Sequence, residues 1–277
     1  MASSVVIHSD SGTYSTLFAK TAGIIACLAP EAEIVDASQG FERGNIRQIS
    51  AYLFTSVPFW PDGTVFLSLA GEGDPVAVRL ASGSYIISPN NGTATMCAKS
   101  FGAESVRFID TEKFGGDEWA LVRCAAALAS GESFVDIGRL AEEGETVYYD
   151  LPVSMIGDGY AEGEVSMLLM TFGNITFSIG TDEFENTGIR TGDAVRVTFT
   201  RNGSIEWQAD MTYQPSFGYV PEGAPVVFNG SSGYMDIGLN KKNFIKRCIP
   251  QILDADDPGE FKVRIEKIGG KRSITHD

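Results

Sequence analysis

Histidine is almost missing from this chain: its 277 residues hold two, His8 and His276. Cysteine is sparse as well, and Cys27, Cys97, Cys124 and Cys248 stand far apart with no CxxC spacing. They read as buried free thiols of a reducing compartment, and no metal is expected. Bases are outnumbered, 21 Lys and Arg against 36 Asp and Glu, for a formal net charge of -15. That field repels phosphate backbones and anionic lipid, which argues against nucleic acid and membrane as partners. It favours a small cation, although an acidic surface serves solubility first. No apolar run approaches the ~18 residues of a membrane span, and the start MASSVVIHSD lacks a basic stretch leading into a long apolar one. A cytoplasmic protein is expected. What is present, 43% hydrophobic and 10% aromatic residues against 21% charged, is enough to bury a core in one large domain or two ordinary ones.

The first half alternates short β-branched runs with helical periodicity. Val5 to His8 reads as a strand and about Thr16 to Leu28 as a helix stopped before Pro30. Glu33 to Val35 follows as a strand, then a helix from about Ile46 to Ser56 that Asn45 is placed to cap. The turn Pro61-Asp62-Gly63 leads into a strand from Thr64 to Leu69. Val76 to Leu80 and Tyr85 to Ile87 flank Ser82-Gly83-Ser84 as a hairpin; Ser105 to Ile109 and a helix from about Glu118 to Ala129 complete the half. The pattern predicts an α/β domain with a Rossmann-like layered sheet over residues 1–143.

The segment RLAEEGETVYYDLP after Gly138 is charged and punctuated by Gly and Pro, which puts a boundary near 140–152. Beyond it the favoured state is strand: Glu164 to Met170, Thr176 to Ile179, Ala194 to Thr200, Glu206 to Met211, Pro225 to Phe228, Tyr234 to Gly238 and Phe261 to Ile268. Hairpin turns such as Asn202-Gly203 and Ser232-Gly233 join several of them. An all-β barrel or sandwich over residues 150–277 is expected.

Asp10, in His8-Ser9-Asp10-Ser11-Gly12, falls at the carboxyl edge of the first strand, where open α/β sheets bind ligands. A carboxylate there accepts both hydroxyls of a ribose, and equally it caps the turn or helix that follows. Asp36 ends the second strand like the ribose partner of a dinucleotide fold, but no GxGxxG follows the first strand. A pyrophosphate then has no close approach to the backbone, and NAD, FAD and P-loop nucleotides are disfavoured. Phe172-Gly173-Asn174 and the loop Asn229-Gly230-Ser231-Ser232-Gly233 read singly as turns. Yet an Asn amide pairs with a donor and an acceptor on an adenine edge, and a phenylalanine covers the ring face.

Several segments match a known pattern in order. SDSG at 9–12 fits S/T-D-x-G, and APEAEIVDASQGF at 29–41 fits P-x-A-x-I-V-D-x-(T/S)-H with Gln39 at the histidine. WPDGTVFLSL at 60–69 fits F-P-x-G-T-V, and SPNNGT at 88–93 fits A-P-(D/N)-N-G. FGNI at 172–175 fits F-G-N-(L/V), and SSGYMDIGLN at 231–240 fits S-S-G-Y-L-E-I-A-x-N. On these segments the chain resembles the S-adenosylmethionine (SAM) hydrolase and halogenase family of adenosyl-forming enzymes. The resemblance implies an α/β domain followed by a β-barrel. It also implies a homotrimer with SAM, as substrate or ligand and without a further cofactor, held between the N-terminal domain of one subunit and the C-terminal domain of the next. Asp10 would then hold the ribose diol and Asn174 the adenine edge, with Phe172 and Phe217 packed about the nucleoside. Phe114 would be another nucleoside-side aromatic, and Ser231 and Ser232 would line the methionine end.

The usual catalytic set is missing. Hydrolases of the family use an Asp and an Arg from D-P-G-V-G-x-x-R-R after the third strand and a His from F-H-G-R-D. This chain has the shorter Ala70-Gly71-Glu72-Gly73-Asp74-Pro75, with Gly71 at the aspartate, and Phe114-Gly115-Gly116-Asp117 without the histidine. Glu72 and Asp74 are the nearby carboxylates able to substitute as a base, His8 lies beside Asp10, and His276 is near the C-terminal end. Gly115-Gly116 leaves room for a halide. Met170 replaces an aspartate expected to pair with the substrate ammonium. Two readings stand: an enzyme in which water or another nucleophile such as halide attacks the ribose C5′ of SAM or a related adenosyl sulfonium, and a catalytically silent adenosine- or SAM-binding homologue.

Overall fold

The computed structural model describes residues 3–41, 43–255 and 257–269, so His276 lies outside the described residues. The chain divides into two packed units, Met1–Leu151 and Pro152–Asp277.

The first unit runs β1 (Ser4–Ser9), α1 (Leu17–Leu28), β2 (Glu33–Ser38), α2 (Ile46–Ser56), β3 (Val65–Leu69), β4 (Pro75–Leu80), β5 (Tyr85–Pro89), α3 (Thr95–Phe101), β6 (Ala103–Ile109), α4 (Ala120–Ala129) and β7 (Gly138–Leu140). One mixed sheet holds all seven strands in the order β2-β1-β3-β5-β4-β6-β7. β2, β1, β3 and β5 run parallel, while β4 is antiparallel to β5 and β6, and β6 to β7. Strand alternation sorts the side chains to two faces. Val5, Ile7, Val65 and Leu67 pack with Ile25 of α1 and Val122 and Ala125 of α4. Val6, Phe66, Val78 and Ile86 pack with Ile49 and Leu53 of α2 and Cys97 of α3. The chain leaves β1 to one side for β2 and returns past it to β3, so the sheet reverses its winding between β1 and β3. A crevice at the carboxyl ends of those two strands follows from that reversal.

Asn45 caps α2 as its position predicts, its side chain accepting from the Gln48 amide at 3.1 Å. The thiols differ from expectation. Cys97 and Cys124 are buried, which pushes the Cys124 thiol up to about 12. Cys248 is half-buried and Cys27 is exposed. Cys27 correctly falls on a helix, but Thr21 and Ile25 carry the inward stripe of α1 and Cys27 points away from it.

The second unit contains β8 (Met155–Gly157), β9 (Tyr160–Leu169), β10 (Asn174–Gly180), α5 (Thr181–Glu185), β11 (Ala194–Arg201), β12 (Ser204–Gln214), β13 (Pro225–Asn229), β14 (Tyr234–Leu239), α6 (Phe244–Cys248) and β15 (Phe261–Lys267). The order β10-β14-β13-β12-β11-β15-β9 closes on itself through the β9–β10 pairing, a seven-stranded barrel with β8 attached beside β9. Asn202 and Gly203, both at positive φ, make the β11–β12 hairpin turn. Val195, Val197, Phe199, Ile175, Phe177, Met235, Ile237, Val263 and Ile265 fill the interior with Phe244 and Ile245 of α6.

Candidate functional site

In the first unit the crevice at β1 and β3 is built around Asp10. Its Oδ2 accepts from the backbone amides of Gly44, at 2.8 Å, and Gly71, at 3.3 Å. The carboxylate thus joins the loop before α2 to the loop after β3. Gly71 sits at φ 67°, and a Cβ there would lie 2.8 Å from Asn91 Nδ2 and 2.9 Å from Ile46 Cδ1. No aspartate side chain fits at this position without moving both neighbours. Asn91 in turn donates to the Ala70 carbonyl at 2.9 Å and accepts from the Thr93 hydroxyl at 2.8 Å. Neither Gly44 nor Asn91 was singled out as a site residue from the sequence: Asn91 falls within SPNNGT, one of the segments that carry the family resemblance, and nothing local marked Gly44.

Gln39, at the histidine of the resembling motif, is nearly buried. Its side-chain oxygen accepts from the Ser9 hydroxyl, its side-chain nitrogen donates to Asp36 at 2.9 Å, and its backbone carbonyl accepts from Gly12 N at 2.8 Å. Asp36 therefore belongs to the support of the Asp10 loop. His8 is fully buried, its ring edge-on to Tyr52 at 5.6 Å, and neither ring nitrogen has a partner among the described residues. Burial pushes its imidazole down to about 4, so it is neutral at ordinary pH and packed beneath the crevice.

A cavity of about 470 Å3 opens beside the crevice, lined by Ser11, Lys20, Leu69, Gly71, Pro89 and Trp119 among others. Glu72 and Asp74 are exposed on the loop after β3, where the Asp74 carbonyl accepts from Asn90 N at 2.8 Å. Phe114 stands elsewhere. It is buried in the core with α4 and lines a separate cavity of about 620 Å3 with Lys113 and Arg123. Both cations are engaged, Lys113 by Glu132 and Arg123 by Asp117 at 2.6 Å.

In the second unit the outer faces of β10 and β14 carry a polar strip. Asn174 is 9% exposed and its amide has no hydrogen bond among the described residues. It lies against Gly238, where a Cβ would fall 2.4 Å from Asn174 Oδ1 and 3.4 Å from the Phe228 ring. Phe217, 45% exposed, meets Phe228 edge-on at 5.7 Å. Phe172 is 70% exposed on the turn before Asn174. Asn174, Gly238, Phe228 and Phe217 thus form one continuous patch. Ser231 and Ser232 lie in the turn that precedes β14, beyond Tyr234, which is itself ~13 Å along the strand from Gly238. Between the two ends lies Asp236, paired in register with Thr176 and only 4% exposed. Burial pushes its carboxyl up to about 6, against the Thr176 hydrogen bond, and Oδ1 has no partner among the described residues.

Among the described residues no helix is long and apolar enough to cross a membrane. Comparison with known proteins bears on both units. The chain is 26% identical over 274 residues to the fluorinase of Actinopolyspora mzabensis, covering 85% of this chain and 90% of that one. It is 26% identical over 248 residues to the (R)-S-adenosyl-L-methionine hydrolase of Thermus thermophilus, covering 86% and 92%. An uncharacterized conserved protein from Thermotoga maritima shares the fold, with a TM-score of 0.80 at 23% identity over 94% of this chain and 99% of that one. The SAM hydroxide adenosyltransferase N-terminal domain matches residues 5–138 and the corresponding C-terminal domain residues 170–249. With both domains present and in order, the chain belongs to the SAM hydroxide adenosyltransferase family, relatives of which are SAM hydrolases and fluorinases.

Proposed function

We propose that this protein binds SAM, or a related adenosyl sulfonium, and cleaves it by attack of water at the ribose C5′, releasing adenosine and methionine in the cytoplasm. The observation that carries the reading is Asp10, a carboxylate fixed by two backbone amides at the point where the sheet reverses its winding. There it receives the ribose diol. The free amide of Asn174 reads the adenine edge, Phe172 and Phe217 cover the nucleoside, and Ser231 and Ser232 take the amino-acid tail. In the reaction the water oxygen bonds C5′ as the C5′–S bond breaks, and the electron pair goes to sulfur, which leaves as a neutral thioether. The water proton passes to a carboxylate of the loop after β3, Glu72 or Asp74. A leaving group this good asks mainly for alignment and desolvation, which suits a site without the Asp, Arg and His set. Phe114, which the resemblance places beside the nucleoside, is buried against α4 and lines a separate cavity, so the proposal gives it no contact with the ligand.

The test is incubation with SAM, alone and with fluoride or chloride, reading adenosine, methionine and 5′-halogenated nucleoside by chromatography. Equal adenosine and methionine, lowered by Glu72→Ala or Asp74→Ala, is the expected result. Binding without any product leaves the silent homologue, a reading that the exposure of both carboxylates favours. A 5′-halogenated product reassigns the nucleophile.

The assembly belongs to the same proposal: a homotrimer, each ligand held by residues of two subunits. Light scattering that returns a monomer across micromolar concentrations rejects it. The adenine assignment has its own test in Gly238→Ala. The added methyl group displaces the Asn174 amide, and losing one hydrogen-bonded contact weakens adenosine binding about ten-fold in calorimetry. Unchanged affinity would remove Asn174 from the site.

A further inference from the structure

Asp236 is the one carboxylate on the outer strip of β10 and β14, and the mechanism above does not use it. Inward residues on either side, Met235 and Ile237, belong to the barrel core, so alternation turns Asp236 outward. It is nevertheless 4% exposed, and its Oδ1 is buried without a partner among the described residues. The residues packed on it, Thr176 and Phe228 in register and Gly230 above, carry no charge. A Cβ on Gly230 would fall 2.7 Å from Oδ1, so only a glycine lies over the carboxylate and the cover stays thin. A buried anion with no counter-charge is costly, and a site that keeps one is provided for a cation that arrives from outside.

Its place along the strip gives the kind of cation. The free amide of Asn174 is at the Gly238 level of β14, Asp236 is two residues along, and Ser231 and Ser232 lie beyond Tyr234. An adenosyl sulfonium presents its parts in the same order: base, then cationic sulfur one ribose away, then the amino-acid tail. Resting on the proposed function, we propose that Asp236 is the counter-charge for the cationic sulfur of the ligand, and that it makes the site prefer a sulfonium to neutral adenosyl compounds of the same shape. Met170, 45% exposed on the turn before Asn174, carries no charge, so Asp236 is the acid that this strip offers to a cationic ligand.

The acid acts through charge, so it also releases the product. Once the C5′–S bond has broken, adenosine and the thioether carry no positive sulfur, and the attraction that favoured the substrate is gone. The same carboxylate therefore favours substrate binding and opposes product inhibition.

The experiment is calorimetric titration of the full-length protein with SAM, with S-adenosylhomocysteine as the neutral thioether of nearly the same shape, and with adenosine. It is run on the wild type, Asp236→Asn and Asp236→Glu. The wild type is expected to bind SAM at least about ten-fold more tightly than S-adenosylhomocysteine, the scale of one unscreened charge in a partly dry site. Asp236→Asn removes that preference and leaves adenosine affinity unchanged, while Asp236→Glu retains it. Loss of affinity for all three ligands in Asp236→Asn would make the residue structural and overturn the proposal. So would a preference for SAM that survives Asp236→Asn. If the wild type binds adenosine without favouring SAM, the counter-charge fails while the nucleoside site stands; if it binds none of the three, both fail.

Discussion

Adenosine affinity is expected to fall 10- to 150-fold when Asp10 is replaced by alanine, the equivalent of ~1.5–3 kcal/mol for charge-assisted hydrogen bonds to a ribose diol. Two losses combine in that number. The ligand loses its acceptor, and the Gly44 and Gly71 amides lose the carboxylate that ties their loops together. Asp10→Asn separates them, because an amide oxygen at the Oδ2 position still accepts from both backbone N–H groups while the charge is gone. Calorimetry on both variants should show Asp10→Asn intermediate. Full affinity in Asp10→Ala would mean that the carboxylate serves only the loops.

Asp236 produces the second large effect, and it is one of stability. In the unfolded chain the group titrates near 3.8, and in the folded barrel burial moves it to about 6. Below about pH 4 it is protonated in both states and costs the fold nothing. As pH rises toward 6 the unfolded chain sheds its proton first, so folding must retain a proton or bury a charge. Stability falls through this window by about 3 kcal/mol and stays lower above it. Asp236→Asn is expected to flatten the slope between pH 4 and 6 and to be the more stable protein at pH 8, read from denaturant melts across that range. A variant no more stable than the wild type at pH 8 would contradict the buried charge. If the stabilised variant also loses its preference for the sulfonium, the barrel is carrying an unfavourable group for the sake of recognition.

Much of the fold could be read from residue pattern, since each long element has enough turns or alternations to show its period. The shift from β-branched runs with helices to strands with Asn-Gly turns marks the change from mixed sheet to barrel. α3 was not legible because its seven residues make two turns, too few to separate a helix from a buried loop. β7, β8, α5 and α6 are shorter still. In the site, Asp10 was legible because strand ends are where such sheets bind ligands. Asp236 was not. Alternation in β14 turns it outward, which reads as a solvated acid. What hides it is the folded hairpin: Gly230, in the loop that precedes β14, lies on the carboxyl group. The packing of Phe114 under α4 and the outward turn of Cys27 depend likewise on which face a neighbouring helix covers.

The closure of the barrel sets an order of events during synthesis. β9 must pair with β15, bringing Ala161 opposite Ile265, and until the last strand emerges from the ribosome β9 and β11 each lack a neighbour. Such long-range pairing closes slowly, because the loop entropy is spent before the contacts return it. The first unit has no such dependence, since its sheet is complete once β7 has been made. It can therefore fold on the nascent chain while the barrel strands wait, with unpaired edges, until β15 at Phe261–Lys267 has been made.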